Sequence, residues 1–365
     1  MVEPTTGSSA TASPATASPA TVPSSLSAGS ARRIVSLVPS ATEIVAAIGA
    51  GDRLVGRSHE CDFPRGVQAL PVVIRPRIDG ASMPGGVTPA EIDAKVRAAM
   101  HAADSLYELD VAALAQLNAD LVITQDLCGV CAVDGPSVER ALASLLSRPR
   151  VLSLAPMTIE DVLDDLGRVA EAIGDAHIIA SARATLVQLR ERLFSALDYV
   201  NPFADGPSVA VLDWLDPLYI AGHWTPQIVE RAGGRHGLNA TVADASAGAA
   251  TGPQASSRRA GPSRAISHAE LVEAAPEYLI VCPCGVPLDA AMRQIEAHAA
   301  GKAWFESLPA VRLARAGKRR VAIVDGNQFF SRPGPRLVDA LEWTTAWLND
   351  RPELTPPGFS ARMWP

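Results

Sequence analysis

The sequence predicts an α/β protein built from two lobes. Short apolar runs typical of buried strands alternate with stretches in which apolar residues recur at helical spacing. This alternation occurs twice, and a long helical stretch at residues 159–200 separates the two series. Strands connected by crossover helices form parallel sheets. We therefore expect two parallel-sheet α/β lobes joined by one long spanning helix, with a ligand cleft between the lobes.

The first series alternates strands and helices up to residue 157. Its predicted strands are residues 33–37, 54–56, 121–124 and 151–154, and its predicted helices are residues 41–48, 88–103, 109–117 and 137–146. Ser40 and Glu43 have the spacing of a capping box at the first helix. Thr88 and Asp110 are the predicted caps of the next two helices. Residues 72–87 are rich in Pro and Gly and predict a loop.

The central stretch predicts a rigid connector. A helix over residues 178–199 would be about 33 Å long at the α-helical rise, and Gly174 with Asp175 predicts a break ahead of it. The second series then gives predicted strands at residues 209–212, 278–281 and 321–324, and predicted helices at residues 226–232, 268–274, 288–298 and 334–349.

These patterns predict the domain organisation. Residues 1–31 are a disordered N-terminal segment, 32–157 the first lobe, 158–200 the connecting helical segment, 201–350 the second lobe, and 351–365 a Pro-rich tail that coils over the surface. Residues 240–265 are a low-complexity insertion in the second lobe.

The composition excludes several classes of partner. The 365 residues are 48% hydrophobic and carry a net charge of −7, which argues against nucleic acid because no basic patch is present. No apolar run is long enough for a transmembrane helix.

Residues 1–31 lack the basic start and apolar stretch of a secretory signal, and the odd number of five cysteines favours reduced thiols. These features favour the cytoplasm over the periplasm, and we expect a monomer.

Four segments taken together carry a family resemblance. They read RIVSLVPSATEIVAAIGAGDRLVGRSHECDFP, LYELDVAALAQLNADLVITQDLCGVCAV, WLDPLYIAGHWTPQIVERAGG and VDGNQFFSRPGPRLVDALE. In their order and spacing they resemble the cobalamin and ferric-siderophore substrate-binding proteins of ABC importers, and most of all the cobalamin-binding branch. The resemblance spans roughly residues 32–350. It implies an interlobe cleft that binds cobalamin as a ligand, with no catalytic cofactor and no catalysis, and delivery to an ABC permease.

The resemblance also implies an acidic docking residue for the permease on each lobe. Glu230 matches the position in the second lobe. In the first lobe, the matching residues 111–117 contain no acid, and only Glu108 and Asp110 lie nearby. The sequence therefore predicts Glu230 as a docking residue and departs from the family pattern on the other lobe.

The candidate ligand-binding residues all follow predicted strands. Open α/β sheets bind ligands at the carboxyl ends of their strands. The candidates are His59, Glu60, Cys61, Gln125, Asp126, Leu127, Cys128, Trp214, His223, Trp224, Cys284, Gly285, Phe329, Phe330 and Arg332.

Among these candidates, the histidines and aromatic residues have the clearest chemistry. A neutral imidazole at His59 can coordinate a metal such as the cobalt of a corrinoid, and His223 is a second axial or hydrogen-bonding candidate. Trp214 and Trp224 can present flat faces to a large planar ligand.

Two consecutive aromatic residues and two arginines follow the last predicted strand. Because Phe329 and Phe330 cannot both point inward on a regular element, they predict an exposed loop pair with at least one ring on the ligand. Arg332 is a candidate donor to amide or phosphate groups of a ligand, whereas Arg336 is expected to pair with a surface acid.

Other functions stay open at this stage. A protein with the same fold could instead bind a ferric siderophore or haem, and a cytoplasmic corrinoid sensor is a further hypothesis. A zinc metalloenzyme would use His59, Cys61, Cys128 and Cys131 as ligands, with Glu60 as general base. Cys282 and Cys284 could supply the second half of a structural zinc site. The sequence lacks the helical ligand pair of known zinc motifs, which makes the enzyme the weakest of these hypotheses.

Overall fold

The structure is a computed structural model that describes residues 30–77, 88–102, 106–127, 133, 135–143, 145, 147–245, 252 and 257–365. Within these residues the strands form two six-stranded sheets and one two-stranded ribbon. The predicted fold class is confirmed, since each sheet has parallel strands at its centre and helices between them. Most of the predicted N-terminal segment, Cys128 and Cys131 lie outside the described residues.

The first sheet has the strand order β4-β3-β2-β1-β5-β6, in which β4 is antiparallel and the other strands are parallel. The elements of this lobe are β1 (Ile34–Ser36), α1 (Pro39–Ala47), β2 (Leu54–Ser58), β3 (Val72–Pro76), α2 (Pro89–Ala102), β4 (Tyr107–Leu109), α3 (Val111–Leu117), β5 (Leu121–Gln125), α4 (Gly135–Leu142) and β6 (Arg150–Leu154). The predicted loop at residues 72–87 is wrong at its start, because Val73 and Ile74 are buried in β3.

The second sheet has the order β11-β8-β7-β12-β13-β14, with β7, β12 and β13 parallel and the outer strands antiparallel. The elements from the connector onward are α5 (Ile159–Ile173), α6 (Ala176–Leu197), β7 (Val209–Leu215), β8 (Leu218–Ile220), α7 (Trp224–Arg231), β9 (Val242–Ala243), β10 (Arg258–Arg259), β11 (Arg264–Ala265), α8 (His268–Ala274), β12 (Tyr278–Val281), α9 (Leu288–His298), α10 (Ala303–Glu306), α11 (Pro309–Arg315), β13 (Val321–Val324), α12 (Leu337–Leu348) and β14 (Ala361–Met363). The antiparallel pair β9–β10 is the separate ribbon.

Two helices form the connector between the lobes. Thr158 caps α5, and Gly174 ends it in the left-handed conformation with φ +74°. Asp175 then caps α6 by accepting from two backbone N–H groups. The 22 residues of α6 span about 33 Å, and this helix packs against α5 and against α12 of the second lobe. The predicted long spanning helix is therefore confirmed.

The two lobes share one hydrophobic core. A single buried cluster contains Ile44 of the first lobe, Leu166 and Leu189 of the connector, and Val229 and Leu341 of the second lobe. Two further clusters each lie within one lobe. Apolar burial therefore stabilises the contact between the lobes as well as each lobe itself.

The predicted capping box at the first helix is wrong. Helix α1 starts at Pro39, and Val38 precedes it without a side-chain cap. Proline suits the first helical position because it has no N–H group to satisfy. The Ser40 hydroxyl instead donates to Gln125 Oε1 at 3.2 Å, and Glu43 bonds to two arginines of the second lobe.

The predicted surface tail after residue 351 is also wrong. Residues Ala361–Met363 form β14, which pairs antiparallel with β13 at the edge of the second sheet. Trp364 is 2% exposed and its ring contacts Phe305 edge-on at 5.1 Å. The Pro content of the tail predicted coil, but burial of this large aromatic side chain fixes its last residues to the sheet.

Candidate functional site

Loops from the two lobes meet at the carboxyl ends of the parallel strands. Arg332 follows β13 and bonds to Asp62, which follows β2 in the first lobe, with 2.6 Å between Nη1 and Oδ1. Trp214 near the end of β7 donates its indole N–H to the Pro89 carbonyl, at the start of α2, at 3.2 Å. We call the loops that follow the parallel strands at this edge of the two sheets the interlobe loops. Most of the candidate ligand-binding residues lie in these segments, whereas His223 follows β8, which runs antiparallel to β7.

His59 and Glu60 lie in the interlobe loop after β2. The His59 ring is partly buried, with Nε2 3.8 Å from Glu60 Oε1 and Nδ1 3.5 Å from Ser58 Oγ. Burial lowers the pKa of His59, and the neighbouring Glu60 carboxylate offsets this only in part. The imidazole is therefore neutral near pH 7, which is the form that coordinates metals.

Cys61 points into the shared core. Its side chain is 1% exposed, and its sulfur accepts a hydrogen bond from the Thr42 hydroxyl at 3.0 Å. Burial raises the pKa of the Cys61 thiol to about 11. The thiolate is the form of cysteine that ligates metals and attacks electrophiles, so a buried neutral thiol does neither well.

The described cysteines differ in the reactivity that we expect from them. Cys284 is exposed, whereas Cys282 is buried and its pKa is raised well above the ordinary value by that burial. At pH 8 we expect iodoacetamide to alkylate Cys284 and to spare Cys61, whose thiolate fraction is about one in a thousand at a pKa of about 11. Peptide mass spectrometry after a short reaction measures this. In 8 M urea, used as a control, Cys61, Cys282 and Cys284 should all react, and equal labelling of Cys61 and Cys284 in the folded protein would contradict the expectation.

The described start of the loop after β5 contains three candidate residues. Gln125 is buried and accepts from Ser40, and Leu127 packs partly buried against the shared core. Asp126 is exposed, and its backbone N–H donates to the Leu154 carbonyl. Cys128 lies outside the described residues. Among Gln125, Asp126 and Leu127, Asp126 has the side chain that is most accessible to a ligand.

The two candidate tryptophans have different environments. Trp214 is partly buried, and its indole N–H is shared between the carbonyls of Pro89 and Asp216. Trp224 is buried in the shared core and donates to the Phe330 carbonyl at 2.7 Å. The exposed part of the Trp214 ring is available for stacking, whereas Trp224 contributes to packing.

His223 has a strained backbone. Its φ of +54° and ψ of −119° are rare for a residue with a side chain, and such conformations cost about 1–3 kcal/mol and cluster at functional sites. Gly222 fixes the turn, because a Cβ there would lie 2.3 Å from the Pro262 carbonyl carbon. The His223 ring stacks on Trp224, and burial lowers the pKa of His223. Its Nδ1 is buried without a hydrogen-bond partner in the described part of the chain.

The loops after β12 and β13 pack tightly against each other. A Cβ on Gly326 would lie 1.7 Å from the Pro283 carbonyl oxygen, so only glycine fits there. Cys284 and Gly285 follow Pro283, and both are exposed. This close packing presents the Cys284 thiol on the surface of the interlobe loops.

The expectation of an exposed aromatic pair is wrong. Phe329 and Phe330 are both buried, in a 3-10 turn over Phe329–Ser331. The Phe329 ring stacks on Phe359 at 4.1 Å, and the Phe330 ring contacts Trp343 edge-on. Consecutive side chains can both be buried here because Phe329 has a φ of +44°, which breaks the alternation of a regular strand. Ligand contact by either ring stays a prediction.

Arg332 bonds to the protein itself. It is 5% exposed, and its guanidinium donates to Glu43, Asp62, the Glu60 carbonyl and Asn327. Burial alone would lower the pKa of Arg332, but the Asp62 and Glu43 carboxylates outweigh this and raise it. The expected donation to a ligand is corrected accordingly, since the donors already have protein acceptors.

The sequence patterns did not predict the partners of this arginine. Glu43 and Asp62 were not predicted to contact the second lobe, and Arg336 pairs with the buried Glu43 instead of a surface acid. A signal was present in α1, where Glu43 is the single charged residue among PSATEIVAA. A lone acid in an apolar helix indicates a buried charge that needs a partner.

A metal site is not formed by the described residues alone. Among them, no three His, Cys, Asp or Glu side chains are grouped so that they could hold a metal ion. Cys128 and Cys131, two ligands of the zinc hypothesis, lie outside the described residues.

The comparisons with known proteins place this geometry in a known fold. No family model matches the sequence, and no curated protein matches it significantly. The structure is similar to the periplasmic vitamin B12-binding protein BtuF of Vibrio cholerae, with a TM-score of 0.59 and 17% identity, covering 89% of this chain and 100% of that one. A periplasmic haem-binding protein of Pseudomonas aeruginosa has a TM-score of 0.58 and 19% identity over 88% and 93% of the chains. The haem-binding protein RhuT of Roseiflexus sp. RS-1 has a TM-score of 0.57 and 21% identity over 88% and 98%.

The chain has the fold of periplasmic solute-binding proteins. The family resemblance predicted from the sequence is confirmed at the level of this fold, while the cobalamin branch is one of several ligand types among its neighbours. The preference for a cytoplasmic location is wrong. It rested on residues 1–31 and on the cysteine count, and the neighbours with this solute-binding fold are periplasmic proteins.

Glu230 does not have the environment of a docking residue in this solute-binding fold. Its carboxylate is buried and accepts from the Thr241 backbone N–H and hydroxyl, and Arg258 lies 3.6 Å away. A permease arginine would have to displace these partners, so the expectation of an accessible acid at Glu230 is corrected. No helix in the described ranges combines the length and the apolar character needed to cross a membrane.

Proposed function

We propose that this chain is a non-catalytic solute-binding protein that holds cobalamin or a related corrinoid at the interlobe loops and delivers it to an ABC-type importer. The proposed location is the periplasm, as in the structural neighbours. The observation that carries the proposal is a pair of neutral imidazoles, one from each lobe. His59 follows β2, and His223 directly precedes Trp224, whose indole N–H donates to Phe330 in the loop after β13.

These imidazoles suit a ligand whose metal has an open axial position. Burial lowers the pKa of both His59 and His223, so both stay neutral and carry a free lone pair near pH 7. The unpartnered Nδ1 of His223 and its strained backbone are costs that a bound ligand could offset. The partly exposed ring of Trp214 offers a flat face to a macrocycle.

Haem is the second candidate, and a specific observation favours it. Two of the three structural neighbours compared above are haem-binding proteins, and an imidazole coordinates iron as well as cobalt. A ferric siderophore is the third candidate, and its anionic groups would require free arginines. Arg332 and Arg57 bond to the protein itself, whereas Arg75 and Arg77 are exposed at the end of β3.

Titration with hydroxocobalamin, cyanocobalamin and haem tests this proposal. We expect one of these ligands to bind with a Kd well below about 100 μM, because specific recognition is tighter than the millimolar regime. His59→Ala should weaken hydroxocobalamin more than cyanocobalamin, whose axial position is occupied by cyanide. The affinity for hydroxocobalamin should stay constant near neutral pH and fall as the pH drops below the lowered histidine pKa values, because protonation removes the lone pair.

A matched histidine variant controls this titration. His298→Ala changes the last residue of α9, which starts beyond the carboxyl end of β12 and is the first of three helices between β12 and β13, so His298 lies at the helix end farther along the chain from the loop after β12. It should bind like the unmodified protein. Absence of binding for all three ligands would refute the proposed function, and equal loss for both cobalamins in His59→Ala would reject coordination by His59 while keeping the binding site.

A further inference from the structure

Four charged side chains cross between the lobes beside the interlobe loops. Glu43 and Asp62 belong to the first lobe, and Arg332 and Arg336 to the second. Arg332 Nη1 lies 3.1 Å from Glu43 Oε1 and 2.6 Å from Asp62 Oδ1. Arg336 makes two bonds to Glu43, at 2.9 Å and 2.5 Å. Two carboxylates and two guanidiniums balance in charge, and we call this group the interlobe clamp.

Three of the four side chains of the interlobe clamp are largely buried, and Asp62 is partly exposed. Glu43 is 3% exposed and Arg332 is 5% exposed, and the Arg336 guanidinium is covered on one side by the Phe63 ring at 4.2 Å. A buried charge that loses its partner is left uncompensated in a medium of low polarity. Opening the lobes at this point would separate all of these pairs at once, so the clamp resists opening.

Arg332 also holds the loop that carries His59. Its Nη2 donates to the Glu60 carbonyl at 3.2 Å, and its Nη1 bonds to the Asp62 carboxylate. Asn327, from the same loop of the second lobe, donates to the other oxygen of Asp62 at 2.9 Å. Arg332 and Asn327 of the second lobe thus bond to this loop on both sides of Cys61.

We propose that Arg332 is a positioning residue, which holds the His59–Asp62 loop of the first lobe in its binding geometry from the second lobe. The interlobe clamp sets this geometry in the ligand-free protein. A loop that is ordered before binding loses less conformational entropy when the ligand arrives, so preorganisation strengthens binding. This consequence for binding rests on the function proposed above, whereas the positioning of the loop does not.

Amide hydrogen exchange of the ligand-free protein tests the positioning. In Arg332→Met, the amides of residues 58–62 should exchange about tenfold faster or more, which corresponds to about 1.4 kcal/mol of lost local protection. Arg332→Lys, which keeps the charge but cannot reach all four acceptors, should restore part of the protection. An exchange rate at residues 58–62 that is unchanged in a folded Arg332→Met protein would overturn the proposal.

Arg192 offers a matched control. It also lies between two carboxylates, Asp339 and Glu342, but it joins α6 to α12 away from the interlobe loops. Arg192→Met should leave exchange at residues 58–62 within about twofold of the unmodified protein. If it accelerates this loop as much as Arg332→Met does, the effect is general loosening and the proposal is wrong.

A milder variant keeps the test decisive if Arg332→Met does not fold. Asp62 is partly exposed, and Asp62→Asn leaves Glu43 to neutralise Arg332. This variant should accelerate exchange of the same amides by a smaller factor, and no acceleration would count against the clamp.

Titration then measures binding: Arg332→Met should lower the affinity for the preferred ligand, and Arg192→Met should not. If the unmodified protein binds none of hydroxocobalamin, cyanocobalamin and haem, the proposed function fails, while the exchange data still decide the clamp.

Discussion

Replacing Glu43 by Gln is expected to lower the free energy of unfolding by about 3–5 kcal/mol. The substitution keeps the shape of the side chain and removes the charge that faces Arg332 and Arg336. Arg332 would keep Asp62 as a partner, whereas the ion pair of Arg336 is with Glu43. Urea-induced unfolding followed by tryptophan fluorescence measures the change.

Two further variants separate the buried charge from other effects. Asp164→Asn removes the partner of Arg190 in an exposed pair, and it should cost at most about 1 kcal/mol. Adding Arg336→Met to Glu43→Gln should recover part of the loss, because it removes a cation left without its partner. A cost below about 1 kcal/mol for Glu43→Gln would mean that water solvates the arginines, and the description of the clamp as buried would then be wrong.

The central strands could be predicted from the sequence almost residue by residue. The predicted bounds of 278–281 and 321–324 are those of β12 and β13, because these strands are buried on both faces and read as continuous apolar runs. The edge strands β4, β11 and β14 were missed for the opposite reason, whereas the longer edge strand β6 was predicted. Strands such as β11 (Arg264–Ala265) have two or three residues, exposed side chains and a place in the sheet fixed by backbone pairing.

The candidate loops were predictable, but the role of each side chain in them was not. Strand-end placement located His59 and Cys284 in loops at the carboxyl ends of parallel strands, whereas His223 follows β8, which runs antiparallel to β7. The local spacing of Ser40 and Glu43 indicated a helix cap, and the real partner of Glu43 lies 289 residues away at Arg332. No local pattern encodes a pairing over that distance, which only the shared core of the two lobes brings about.

The strained backbone conformation of His223 could not be predicted from the sequence, for a related reason. A helix was predicted after His223, but the positive φ of His223 arises from the segment at residues 261–263, which approaches Gly222 from a distant part of the chain. The His223 N–H donates to the Gly261 carbonyl at 2.9 Å and holds that conformation. Long-range contacts therefore decide which of the predicted candidates are free for a ligand.

Truncating Trp364 to Ala is expected to cost about 3–5 kcal/mol of unfolding free energy. The ring is 2% exposed, contacts Phe305 edge-on, and has the Arg315 guanidinium 4.1 Å from its centroid. Its indole N–H donates to Glu296 at 2.7 Å, so the substitution removes a hydrogen bond as well as buried apolar surface. Urea unfolding measures the effect. Phe203→Ala is the matched aromatic control, since that ring is 95% exposed and its loss should change stability by no more than about 0.5 kcal/mol.

Deleting residues 360–365 should have a larger consequence than Trp364→Ala, because it removes the edge strand β14 itself. The neighbouring strand in the sheet, β13, consists of four buried apolar residues, Val321–Val324. An uncovered apolar strand edge is a template for pairing with other chains. We therefore expect the deletion to aggregate at concentrations where Trp364→Ala stays monomeric, which light scattering distinguishes. A monomeric and fully stable deletion would show that these C-terminal residues only coil over the surface, as their Pro-rich sequence had suggested.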